Sequence, residues 1–538
     1  MKLLYRHIAR VAFLAVALVG VTACGGGGST PPPQTYSIGG TVSGLDRGES
    51  VVLQNNGGDD LTVSANSTFT FPTKVTSGSA YAVIASPPTG KTCTVTGGSG
   101  TVSSNITGVA VACVPTPTFS IGGSVSGLVG QGLELALLAP RRSGQHVIYD
   151  VTVDTIGINN NGKFAFQSPQ VSGEYLVGIK TQPNAPTQRC VVRNPWFALA
   201  TANITDLAIA CGEFAYVTNA ANNTISAFSV DATTGAIALV GSPVATGLSP
   251  SAIASTFDTS HLYVANGGSN DVSVFAVDAV SGTLTIVPGS PFAVGTNPRA
   301  VAFWNSWLYV ANTGSNDIST YGLDPSTGLP GWSITTSAVG SGPSAIVIAD
   351  GGLLYAANTG GSSDISAFVA YVDPMQPITG SPFPSGGSVS SFAFGPGQKT
   401  LYAANASGAA AAIYGFSIDP ASGALASLAG FPHPLPSCTY IVVEQTGTYL
   451  YATAGTDVIG YRIDANTGAL SPLSGFPVAV GANASSVSID PANQFLYVAN
   501  GSAGTVTVFK LNGATGALTP VPGSPFAVGK SADYIATL

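Results

Sequence analysis

Beyond its first few dozen residues, the chain is written in short runs where apolar residues alternate with small or polar ones. Each run is closed by Gly, Asn, Ser or Pro. A period of two puts alternate side chains on one face, so these runs predict short antiparallel β-strands with one buried side. One apolar stretch does not alternate: Val11 to Ala23, preceded by Lys2, Arg6 and Arg10. It is too short to cross a bilayer as a helix and has the length and basic flank of a secretory signal.

The alternating region repeats on two scales. Tyr36-Ser37-Ile38-Gly39-Gly40-Thr41-Val42-Ser43-Gly44-Leu45 returns as Phe119-Ser120-Ile121-Gly122-Gly123-Ser124-Val125-Ser126-Gly127-Leu128, an offset of 83. Phe69-Thr70-Phe71 matches Phe164-Ala165-Phe166, and Tyr81-Ala82-Val83 matches Tyr175-Leu176-Val177. Two β-sandwich-like domains follow, 35–115 and 118–211. Cys93 and Cys113, 20 apart, and Cys190 and Cys211, 21 apart, suggest one disulfide in each domain and an oxidising compartment, with zinc as the unsupported alternative. Asn105-Ile106-Thr107 and Asn203-Ile204-Thr205 are expected as strand ends.

From residue 212 to 538 the period shortens. Tyr216, Tyr263, Tyr309, Tyr355, Tyr402, Tyr451 and Tyr497 each open a Tyr-small-small-Asn motif (Ala454 replaces Asn in the sixth), at spacings of 47, 46, 46, 47, 49 and 46. The third repeat illustrates the strands: Arg299–Phe303, Leu308–Ala311 and Asp317–Leu323, with a weak fourth that is clearer elsewhere, as at Leu284–Val287. Asp-x-x-Ser/Thr-Gly turns start at Asp231, Asp278, Asp324, Asp419 and Asp464. Four-stranded units of this length repeated seven times predict an all-β, seven-bladed propeller. The region begins at a second strand and finishes on a first-strand pattern, 531–538, so the last strand is expected to complete the first blade. The repeated tyrosines are expected as inter-blade core, and the asparagines as caps bonding loop backbone.

Composition narrows the function. Without the signal region, 14 basic residues face 25 acidic ones, a net charge of −11. An acidic surface with no basic run argues against nucleic-acid binding. Val21-Thr22-Ala23-Cys24 resembles a bacterial lipobox, which implies cleavage after residue 23 and a diacylglycerol on Cys24. Residues 24–34, rich in Gly and then Pro, suit a tether. The expected location is the cell envelope, anchored by lipid in the outer membrane (Gly25 after the cysteine fits that sorting).

The Tyr-x-x-Asn repeats, the Asp-x-x-Thr-Gly turns and the closings Gly289–Phe292, Gly380–Phe383 and Gly523–Phe526 resemble the lactonase-type seven-bladed propeller family over 212–538. The resemblance implies a site at the propeller mouth, where the enzymes carry Gly-x-x-Pro-Arg-His and a glutamate after Tyr-x-x-Asn. Here Gly295-Thr296-Asn297-Pro298-Arg299-Ala300 keeps the arginine but has Ala300 for histidine, and Thr313 follows Asn312 where glutamate would stand. Arg299 as oxyanion donor and Asp533 as base are the candidate catalytic pair. Asn270, Asp271, Asn316, Asp317 and His433 are candidate binding residues. His261 and Glu444 are expected on the opposite face, and Cys438 as a buried thiol. No metal site or cofactor is called for. The expectation is a non-catalytic binding propeller on a two-domain stalk, its partner a protein, glycan or small molecule. Lactone hydrolysis of the 6-phosphogluconolactonase type and carbohydrate or cell-wall binding are the alternatives.

Overall fold

A computed structural model describes residues 32–143, 146–184, 187–193, 196–197, 202–361, 363–370, 372–406, 411–481 and 483–538. The expected signal region, Cys24 and most of the tether lie outside the described residues. The chain forms two compact units, one ending at Pro117 and the other running from Thr118 to Leu538.

The first unit packs two four-stranded sheets. One has the order Thr68–Thr70, Ile38–Ser43, Ile106–Pro115, Lys91–Thr96; the other has Gly58–Val63, Val51–Asn55, Ala80–Ser86, Ser99–Thr101. Between them lies an apolar core that includes Ile38, Leu53, Phe71 and Val111. The second unit opens with the same strand order in residues 118–211, and with its own core around Leu135, Val177 and Ile209. Cys93–Cys113 and Cys190–Cys211 are disulfides, as the spacing suggested. One expectation needs correcting, because the sheets are not purely antiparallel. Ile106–Pro115 runs parallel to Ile38–Ser43, and Ile204–Ala210 parallel to Ile121–Ser126.

The propeller follows. Its blades are four-stranded antiparallel sheets whose first strands surround the axis. Blade 1 is assembled from both ends of the domain: Tyr534–Thr537 pairs with Phe214–Asn219, then come Thr224–Val230 and Ile237–Ala245. Blade 3 comprises Pro298–Trp304, Trp307–Asn312, Asp317–Leu323 and Pro330–Ala338. Its fourth strand, the weak one by sequence, is nine residues long. It lacks the Gly-Ser-Pro-Phe segment that elsewhere divides the outer strand, as in blade 2 between Leu284–Ile286 and Phe292–Ala293.

The seven repeat tyrosines are fully buried between blades. Each hydroxyl donates to a main-chain carbonyl of the next blade's third-to-fourth-strand turn, over 2.7–3.3 Å: Tyr216 to Gly282, Tyr263 to Gly328, Tyr309 to Ala370, Tyr355 to Gly423, Tyr402 to Gly468, Tyr451 to Gly516, and Tyr497 back to Gly235. A buried ring thus supplies inter-blade area while its polar tip finds a partner. The turns present those carbonyls because Asp231 Oδ1 accepts the N–H groups of Thr233 and Thr234 while Gly235 takes φ 74°. Asn512 plays the same part in blade 7.

The repeat asparagines do not cap loop backbone as expected. Asn266 Nδ2 donates to Asp271 Oδ1 (2.7 Å) and Ser273 Oγ (2.9 Å), and Asn312 Nδ2 to Asp317 Oδ1 (2.6 Å) and Ser319 Oγ (2.8 Å). The amide ties the second strand to the side chains of the third, because the third strand presents an acid or hydroxyl directly across the ladder.

Candidate functional site

The mouth is built from the second residue of each first strand. In blades 2, 3, 4, 5 and 7 this residue is a β-bulge, skipped by the pairing register: Ser251, Arg299, Ser344, Ser390 and Ser485. A bulge leaves one residue unpaired in the ladder and re-aims its side chain. Thr439 and Asp533 hold the equivalent places in blades 6 and 1. Five of these seven residues are hydroxylic, and each donates to the first strand of the following blade: Ser251 to Pro298 O (3.1 Å), Ser344 to Val389 O (2.7 Å), Ser390 to Thr439 O (2.8 Å), Thr439 to Ala484 O (3.1 Å) and Ser485 to Ala532 O (2.6 Å).

Arg299 and Asp533 are the two exceptions. Arg299 is exposed and, among the described residues, has no hydrogen bond or ion pair. The carbonyl it would otherwise satisfy, Pro343 O, accepts instead from Thr313 Oγ1 at 2.6 Å. The residue standing where the enzymes have glutamate is therefore a replacement latch. Asp533 is half-buried, and its Oδ2 accepts the Ala220 N–H at 2.8 Å and the Ser531 hydroxyl. The two lie on first strands separated by blade 2.

The other candidates have local partners. Asn270 and Asn316 sit at φ 60°. Their Oδ1 atoms accept the N–H of Asn297 (2.7 Å) and Gly342 (2.8 Å), fastening each turn to the loop that enters the next blade. Asp271 and Asp317 take the asparagine amides described above. His433 is on the outermost strand of blade 5, opposite Ile413, edge-on to Phe431 (4.9 Å between centroids) and Tyr461 (5.6 Å). Burial lowers its pKa. It does not reach the mouth. Cys438 is buried, which pushes its thiol up to about 12 and leaves it protonated. Among the described residues, no three of His, Cys, Asp and Glu converge as metal ligands.

One residue further along the first strands, a pair escaped the sequence reading. The Tyr440 and Tyr534 hydroxyls meet at 2.7 Å, with rings perpendicular and centroids 5.7 Å apart. They join blade 6 to blade 1 across blade 7, and desolvation raises both pKa values. These two tyrosines follow no repeat, so the sequence pattern does not mark them.

At the opposite end, the domain of residues 118–211 packs against the propeller beside a part-open cavity of about 1460 Å³. Leu176, Ile179 and Arg189 line it from that domain, and Phe257, Asn305 and Asp350 from first-to-second-strand turns. Gln494 Nε2 donates to Thr187 O (3.1 Å), and Glu213 Oε1 accepts the Arg189 N–H (3.3 Å). Glu213 and Asp490 are buried there, each with one oxygen lacking a partner. Burial, reinforced by the charge of Asp490, lifts Glu213 to about 7, and burial lifts Asp490 to about 6. His261 lies beside this end as expected, and burial lowers its pKa.

Residues 208–347 and 400–524 match the family described as "Lactonase, 7-bladed beta-propeller". Among solved structures, a candidate 6-phosphogluconolactonase of Bacteroides fragilis is similar over 61% of this chain and 98% of its own, at 20% identity and TM-score 0.53. The periplasmic gluconolactonase PpgL of Pseudomonas aeruginosa is similar over 61% and 99%, at 17% identity and TM-score 0.51. At these identities the likeness is one of fold. No functionally curated protein matches the sequence.

Proposed function

From the premise that its propeller belongs to the lactonase-type seven-bladed β-propeller family, we propose that this chain is an envelope protein, lipid-anchored through Cys24, whose propeller mouth binds a small anionic ligand through Arg299 without hydrolysing it. A sugar acid, or the carbonyl edge of its lactone, has the required chemistry. The observation that carries the reading is the hydroxyl ring. Five of its members are engaged in joining blades, whereas Arg299 stands on a bulge with its guanidinium unengaged among the described residues. A planar cation with five donors suits a carboxylate in a chain that is otherwise acidic.

Hydrolysis asks for a base poised near neutral pH. The carboxylate of Asp533 is already engaged, because its Oδ2 accepts both the Ala220 N–H and the Ser531 hydroxyl. Family membership favours lactone hydrolysis as the second reading. Both are tested by calorimetry and turnover on a panel of aldonic acids and lactones, using the chain from residue 25 onward and its Arg299→Ala variant. Binding that disappears in the variant, with no turnover in either, supports the proposal. Turnover that the variant abolishes makes the protein a lactonase. Behaviour indifferent to Arg299 removes the mouth from consideration. Anchoring is tested separately: Cys24→Ala is expected to move the protein from the membrane fraction to the soluble one.

A further inference from the structure

The outer edges of the blades are not equivalent. In blades 2, 4, 5, 6 and 7 the outer strand is two or three residues long, followed by a proline-containing segment and a second two-residue strand. Blade 1 has a nine-residue outer strand with Pro243 inside it, a position without an N–H. In blade 3, Pro330–Ala338 has proline only at its first residue, so Gly331 to Ala338 all carry backbone donors. It is the terminal strand of its sheet.

Natural edge strands are usually blunted by charge, proline or shortness. This one is nine residues long and uncharged, with proline only at its first residue and one shift of register, between Pro330 and Ile334. Residues 325–349 contain no charged side chain, in a chain of net charge −8. On one side it leans on blade 4, where Thr335 Oγ1 donates to Asp373 at 2.7 Å. Its even-numbered face is open: Trp332 is 57% exposed and Ile334 68%. Trp332 is nonetheless held in place. It lies over Gly322, where a Cβ would come within 2.2 Å of the indole nitrogen, and packs edge-on against Trp307 at 6.4 Å.

We propose that this edge pairs with the same edge of a second copy of the chain, joining two blade 3 sheets into one antiparallel sheet across a two-fold axis. The strand is self-complementary in one register. With Ile334 opposite Ile334 of the other copy, Trp332 faces Thr336 and Pro330 faces Ala338. Aromatic against β-branched and β-branched against β-branched are stabilising cross-strand pairs. The uncharged stretch also lets two acidic molecules approach without like charges meeting. A two-fold contact of this kind closes on itself and forms a dimer rather than a fibre.

The test is sedimentation of the chain from residue 25 onward over a range of concentrations. A concentration-dependent dimer is expected. Ile334→Lys, which sets two like charges opposite each other, should weaken it by about tenfold or more. Leu239→Lys, on the outer strand of blade 1, should leave it unchanged. Mixing Ile334→Lys with Ile334→Glu should restore a dimer, which a misfolded variant could not do. A wild-type chain that stays monomeric, including one that captures extended peptides instead, overturns the proposal. So does a dimer indifferent to Ile334→Lys, or a mixture that fails to reassociate.

Discussion

The two ends of the propeller are held by different hydrogen bonds, and they differ in how faithfully the repeat is kept. At the end covered by the domain of residues 118–211, all seven tyrosines donate to the next blade without exception. At the mouth, hydroxyls perform the same task in five blades, while Arg299 and Asp533 interrupt the ring. A complete ring is what stability alone would select. An interrupted ring gives up the hydroxyl latch at two places, one of them made good by Thr313, and the residues gained there are the ones with chemistry to offer. Blade 3, which carries Arg299, is also the blade with the open outer edge.

Removing a tyrosine from the complete ring should have the largest effect. Tyr497→Ala, at a fully buried position on the closing seam, is expected to cost about 3–5 kcal/mol in denaturant unfolding. Tyr497→Phe, which keeps the ring but orphans Gly235 O, should cost about 1 kcal/mol. Next comes the buried acid at the covered end. The Glu213 carboxyl binds its proton at about 7 in the folded chain, against an ordinary value of 4.5. The folded state therefore holds an extra proton between those values. Its stabilisation is complete below the ordinary range and is lost as pH rises through about 7. The melting temperature should fall between pH 5 and pH 8, and Glu213→Gln should flatten most of that slope, a difference of about 2 kcal/mol at the alkaline end. Asp490 contributes the same sign over a slightly more acidic window.

The mouth should respond more weakly. Ser485→Ala removes one latch and is expected to cost about 1 kcal/mol. Arg299→Ser restores the repeat, so it should change stability by less than about 0.5 kcal/mol while abolishing ligand binding in calorimetry. If Arg299→Ser destabilised the propeller as much as Ser485→Ala, the arginine would be a structural member of the ring, and the contrast between the ends would disappear.

The sequence made the propeller legible because its signals are local and repeated: a tyrosine, a turn and an alternating run every 46 to 49 residues. The disulfides were legible from matched spacing for the same reason. What could not be read depends on neighbours far along the chain. The significance of Thr313 rests on Pro343 O, 30 residues away, and that of Asp533 on Ala220, 313 away. The Tyr440–Tyr534 pair spans 94 residues. The outer strand of blade 3 is weak by sequence because Ser, Thr and Gly dilute its apolar pattern, yet Thr and Ile are good strand formers and no proline interrupts them. His433 reads as available because nothing in the sequence shows that Phe431 and Tyr461 flank it.

The seam in blade 1 has a consequence for the order of events in the cell. Its innermost strand is the last part of the domain to leave the ribosome, and its other three strands are among the first. Until residues 534–537 have been made, the first three strands have no inner neighbour and the circle is a broken crescent. A chain without residues 534–537 would lose the join and not merely a strand, and a protease that clears open crescents would in effect be testing whether the circle had closed.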